Sequence, residues 1–111
     1  MCMFCKEELI ELNKKFSNGN IVNNSSLEFA LSSIKTKPWF DQIAYLVRAI
    51  LIDHIFEDGN KRTAALVIIA YYTELEIGFD PQKIVKLIID VMMKNITDLN
   101  KTKRMMKNVI R

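Results

Sequence analysis

Apolar residues recur along this chain at intervals of three and four, and no segment alternates apolar and polar strictly enough to predict a strand. Cys5, Leu9, Leu12 and Phe16 form one stripe of a first helix running from about Cys2 to Phe16, which Ser17-Asn18-Gly19-Asn20 stops. Ser25 is placed to cap a second, short helix, with Glu28 completing a capping box and Leu27, Ala30, Leu31 and Ile34 facing inward. After Lys35-Thr36-Lys37, Pro38 suits the first turn of a third helix that carries Trp39, Phe40, Ile43, Leu46, Val47, Ile50 and Leu51 and reaches His54. From Asn60 to Tyr72 the pattern is apolar on every side, as in a helix surrounded by others. Asp80 and Pro81 open a further helix with Ile84, Val85, Leu87, Ile88, Val91 and Met92 on a wide buried face, and Thr97 or Asp98 starts the last one. Ile77-Gly78-Phe79 is the one short piece that suits an extended backbone. The pattern predicts an all-α fold: residues 1–111 as a compact single-domain helical bundle with a central buried helix.

Composition supports that expectation and narrows it. A chain of 111 residues buries about two-thirds of its unfolded surface, enough to stand without disulfides or metal. Half of the residues are hydrophobic and only three are glycine and two proline, against a disordered or sandwich-like chain. Arg48 and Asp53 interrupt the longest apolar run before the roughly 18 residues a membrane span needs, so a soluble protein is expected. The net charge of +3 is unevenly spread. From Ile96 onward Lys101, Lys103, Arg104, Lys107 and Arg111 stand against Asp98 alone, which fits the solvated face of a last helix whose Met105, Met106, Val109 and Ile110 turn inward. Cys2 and Cys5 make a C-x-x-C with no second pair and no spare histidine, so no zinc site closes. The sequons at Asn23, Asn24 and Asn95 follow no signal peptide, and the expected location is the cytoplasm.

Chemistry concentrates in His54-Ile55-Phe56-Glu57-Asp58-Gly59-Asn60-Lys61-Arg62, a polar loop held between two apolar helices. His54 is the sole histidine, and imidazole is the side chain suited to accept a proton near neutral pH. Asp58 offers the hard oxygen that Mg²⁺ prefers when substrate phosphates complete its shell. Gly59 tolerates positive φ, and Asn60 is expected as the helix N-cap, aiming the N–H groups of Lys61, Arg62 and Thr63 at an anion. Lys61 and Arg62 add positive charge, although cations in a first turn oppose the helix dipole. Phe56, large and apolar, is expected to anchor the loop to the core. Base, metal ligand and phosphate cradle together suit transfer of a phosphorus group. An EF-hand is excluded because its alternating ligands are missing, and a P-loop because its motif is absent.

The same nine residues resemble the signature of the Fic/Doc (Fido) family, H-x-F-x-[D/E]-[G/A]-N-[G/K]-R, and Ile21 to Leu31 is more weakly similar to a segment of Doc-type, or death-on-curing, toxins. Lys61 stands where most Fic proteins carry glycine and Ala65 where they carry a second arginine, and both departures are Doc-like, whereas Gly59 is the Fic-like choice. The resemblance implies a toxin of a toxin–antitoxin pair that uses ATP and Mg²⁺ to phosphorylate a hydroxyl side chain of a protein target, in the family's case a translation elongation factor. On that reading His54 is the catalytic base, Asp58 the metal ligand, and Gly59, Asn60, Lys61 and Arg62 hold the nucleotide phosphates. One alternative is a Fic-type AMP transferase (AMPylation). Another is an inactive protein-interaction module of the same fold, binding through Ser32 to Phe40 and the basic last helix. The self-inhibiting [S/T]-x-x-x-E-[G/N] motif of some Fic proteins is absent, so the resemblance implies a separate antitoxin, with no part for membrane or nucleic acid.

Overall fold

The computed structural model describes residues 3–111. Its helices are α1 (Lys6–Asn13), α2 (Asn24–Ile34), α3 (Trp39–Leu51), α4 (Asn60–Glu74), α5 (Pro81–Met93) and α6 (Leu99–Val109). Among the described residues the extended pairings are two isolated bridges, Ile21 with Phe56 and Phe79 with Ile110. The fold is all-α, as the periodicity predicts, and none of its helices is long and apolar enough to cross a membrane.

Several helix ends differ from expectation, each for a local reason. Cys2 lies outside the described residues, and α1 begins after Cys5, whose N–H donates to Glu8 Oε1 at 3.0 Å. The Glu8 carboxylate also holds the exposed Cys5 thiol above its ordinary pKa, so it stays protonated near neutral pH. Helix α1 stops at Asn13 rather than Phe16 because the chain tightens there: Phe16 N and Ser17 N both donate to Asn13 O. Helix α2 is capped by Asn23 and not Ser25, through Ser26 N to Asn23 Oδ1 at 3.3 Å. Glu28, released from the expected capping box, pairs with Lys6 at 3.3 Å. Pro38 is the N-cap of α3, where its missing N–H costs nothing. Asp80 and Asp98 cap α5 and α6 through Gln82 N and Asn100 N.

The centre of the molecule is shared by α3, which packs against α2, α4, α5 and α6, and α4, which packs against α1, α3 and α5. Ile43, Leu46, Val47, Ile50 and Leu51 of α3 meet Ala64, Val67, Ile68, Tyr71 and Tyr72 of α4 in one buried cluster. Ala65, Leu66, Ile69 and Ala70, on the outer side of α4, are half-buried. Among the described residues, no buried side-chain nitrogen or oxygen lacks a hydrogen-bond partner. Tyr71 Oη donates to Gln42 Oε1 at 2.7 Å, Gln42 Nε2 donates to Lys37 O, and Tyr72 Oη donates to Met106 O at 3.0 Å. Burial pushes the Tyr72 phenol up to about 12, so it remains a donor throughout the physiological range. The chain end is tied down by Asp80 N to Val109 O and Arg111 N to Gly78 O, around the extended piece at Phe79.

Candidate active site

The loop begins where α3 ends. Ile52 N and Asp53 N both fold back onto Arg48 O, and His54 then takes φ 49, a left-handed conformation that turns the chain away from the helix axis. His54 therefore stands beyond the end of α3, exposed, while Ile55 and Phe56 turn inward and are 0% and 1% accessible. Phe56 occupies the core beneath the loop. The left-handed turn at His54 separates its exposed side chain from the two buried side chains that follow it.

Three further parts of the chain hold the loop: the segment before α2, the start of α4, and α1. The segment before α2 runs beside it: Val22 N donates to Ile55 O at 2.8 Å, Glu57 N to Asn20 O at 2.9 Å, and Asn23 Nδ2 to Asp53 O at 3.0 Å. Asn60 closes the loop on itself, accepting from Phe56 N and donating to Phe56 O at 2.9 Å. Asn60 is thus the first residue of α4 and not its N-cap. The cap position belongs to Gly59, at φ 77 and ψ 15, because the Asn60 amide is already committed to both polar groups of Phe56. From α1, the fully buried Asn13 donates to Asp58 O at 2.9 Å and to Thr63 Oγ1 at 3.0 Å, and its Oδ1 accepts from Gly19 N. Thr63 Oγ1 in turn donates to Gly59 O at 2.8 Å. A Cβ on Gly59 would lie 3.0 Å from Asn13 Nδ2 and 3.2 Å from Ser17 Cβ, so both the positive φ and the close approach of α1 demand glycine.

What this support presents is a cavity of about 430 Å³ lined by His54, Glu57, Asp58, Gly59, Asn60, Lys61 and Arg62, with Phe16 and Met92 as apolar walls. Every residue expected from the sequence to do chemistry here reaches it, and its size lies in the range of small-molecule sites. The N–H groups of Lys61 and Arg62 have no acceptor among the described residues, and they belong to the first turn of α4 at the cavity, where the helix dipole favours an anion. Thr63 N, by contrast, is spent on Gly59 O. The Arg62 guanidinium sits 5.8 Å from the centre of the Phe16 ring, which steadies a long exposed side chain.

The two acidic residues differ. Glu57 accepts from Asn18 and Asn20 of the adjoining segment, whereas the Asp58 carboxylate has no hydrogen-bond or ion-pair partner among the described residues. No group of three or more His, Cys, Asp or Glu residues that could hold a metal ion occurs among the described residues. One unpaired carboxylate beside an anion cradle matches the way Mg²⁺ is held by one or two carboxylates plus substrate phosphates.

Sequence reasoning missed Asn13, Phe16 and Met92. The signal for Asn13 was available: it falls one turn after Leu9 on the buried face of α1, and a polar residue there needs buried partners. Met92 had no such signal, since its place in the wall depends on how α5 packs against α4.

The Fic/DOC family model matches residues 11–72, which run from the end of α1 through the loop to the buried part of α4, and the chain belongs to this family. Its members are in general transferases that modify proteins using a nucleoside triphosphate. No curated protein matches the chain.

Proposed function

We propose that this protein transfers the γ-phosphoryl group of ATP to a hydroxyl side chain of a protein target, in the manner of Doc-type toxins. The observation that carries this reading is the meeting, in one cavity, of an exposed imidazole, an unpaired carboxylate and a helix start with free N–H groups flanked by Lys61 and Arg62. His54 accepts the proton of the target hydroxyl as its oxygen attacks the γ-phosphorus. The bond from the γ-phosphorus to the bridging oxygen breaks, and ADP leaves with that oxygen. Lys61, Arg62 and the α4 amides face the charge that spreads over the transferring group. Asp58 would hold Mg²⁺, which supplies charge neutralisation between the phosphates.

Phosphoryl transfer is preferred over AMP transfer because of Lys61 and Ala65. A lysine side chain at the cavity occupies space where bare backbone would receive inner phosphates, and Ala65, one turn further along α4, brings no second outer cation. Gly59 does not weigh against this, since the approach of Asn13 and the positive φ account for it locally. Regulation by a separate antitoxin belongs to the same proposal, and expression of the chain alone should then slow growth of the host.

Parallel incubations with γ-labelled and α-labelled ATP, Mg²⁺ and a cell lysate test the reading. Label on protein from the γ position alone is expected. Label from the α position alone would establish AMP transfer, and no label from either would leave a binding module.

A further inference from the structure

Two adjoining cavities open between α3 and α6, lined by none of the residues of the catalytic cavity. One, of about 420 Å³, includes Tyr45 and Arg48, and the other, of about 290 Å³, includes Phe40, Arg104 and Lys107. They share Asp41, Asn100 and Lys103 and so form one groove along the two helices. Its acidic side chains are already engaged. Asp41 pairs with Lys103 at 2.8 Å with both side chains 29% accessible, and Asp98 caps α6. Arg48, Arg104 and Lys107 have no carboxylate partner among the described residues. The Arg48 guanidinium is held over the Tyr45 ring at 5.3 Å, which leaves its edge donors free. Helix α6 lies outside the stretch matched by the family model, so the groove is built partly from this chain's own sequence.

We propose that this groove docks an extended acidic segment of the protein target and presents it to the catalytic loop, a role that rests on the transfer reading above. The position suits it. Arg48 lies in the last turn of α3, and its carbonyl accepts from Ile52 and Asp53, the residues that lead directly into His54. The charge pattern favours carboxylates spaced along a peptide. Arg48 and Arg104 offer planar forks that bind carboxylates in pairs, and Arg104 and Lys107 stand one helical turn apart on an exposed face. A nucleic-acid strand fits less well. Arg48 already covers one face of the Tyr45 ring, and three unpaired cations set apart on two helices match discrete carboxylates better than a continuous run of phosphates.

Binding can be measured without ATP, separately from catalysis. The probes are a short fluorescein-labelled peptide of alternating glutamate and serine, its glutamine counterpart, and a labelled single-stranded RNA, each titrated by fluorescence anisotropy. The acidic peptide should bind, lose affinity with added salt, and shift the backbone amide signals of Asn100, Lys103 and Arg104 while leaving those of Asn60 and Lys61 in place. Arg104→Glu combined with Lys107→Glu, both on exposed positions, should weaken it by about tenfold, and His54→Ala should bind as the parent does. Equal affinity for the glutamine peptide, tighter binding of the RNA, or indifference to the double reversal would each overturn the proposal. Because His54→Ala slows transfer but leaves docking intact on this account, failure of the transfer chemistry leaves the docking result standing or falling by itself.

Discussion

Helix α4 carries buried polar side chains at both ends, put to different uses. At its start Thr63 joins Asn13 in a cluster whose hydrogen bonds end on the backbone of Asp58, Gly59 and Gly19, so the buried amide shapes a loop whose reactive side chains all face outward. At its end Tyr71 and Tyr72 bond to Gln42 and to Met106 O, and these contacts bind α4 to α3 and α6. Both clusters satisfy the rule that buried polar groups find partners. The difference lies in what the partner is: a loop backbone at one end, another helix at the other. Perturbing the first should therefore damage transfer, and perturbing the second should damage stability alone.

The largest effect that would sharpen this contrast is expected from Arg62→Ala. The side chain is exposed and touches Phe16, so the melting temperature should hardly move while the rate of label transfer falls about 10²-fold or more. A parent rate would remove Arg62 from the anion cradle. Asn13→Ala should move both quantities. It strands Asp58 O and Gly19 N, costing about 2 to 3 kcal/mol in denaturant unfolding, and it frees the loop, so transfer should fall even at temperatures where the protein is fully folded. An unchanged rate in the folded variant would show that the Asn13 cluster is structural only. Gly59→Ala should cost about 1 to 2 kcal/mol from its left-handed backbone, with a further loss of rate from displacement of Asn13. A variant as stable as the parent would mean that the loop relaxes freely around the new methyl group.

At the other end of α4, Tyr72→Phe should cost about 1 kcal/mol at neutral pH and leave transfer untouched. It also carries a pH signature. The folded state holds the Tyr72 proton more tightly than the unfolded chain, whose tyrosine titrates near pH 10, so this contribution to stability is complete below about pH 10 and is lost as the pH rises through about 12. Subtracting the Tyr72→Phe stability profile from that of the parent should leave a slope in that window. Parallel profiles would contradict the burial of the phenol.

Much of this arrangement was legible in advance. The helical pattern gives a good account of α3, α4, α5 and α6, because their apolar faces are wide and Pro81, Asp80 and Asp98 mark their starts. It misplaced both ends of α1 and the cap of α2, because several nearby residues could each serve there and the choice fell to Glu8 on Cys5 N, to the tightening of the chain onto Asn13 O, and to Asn23, whose amide also holds Asp53 O. At the site, the polar residues from His54 to Arg62 were legible because they sit in one continuous stretch. Asn60 was assigned the wrong partner, since its amide could cap α4 or close the loop on Phe56, and only the folded backbone decides between them. Asn13 and Met92 come from elements far away in the chain, and long-range packing put them there.

His54, held exposed beyond α3 by a loop anchored on the buried Ile55 and Phe56, is proposed to take the proton of the target hydroxyl. Transfer of γ-label by the parent and by His54→Ala, in the same lysate with Mg²⁺ and with the fold of each checked by circular dichroism, tests it most directly. The account predicts matching spectra and a rate reduced about 10²-fold or more in the variant. A folded His54→Ala protein that labels its target at the parent rate would contradict it.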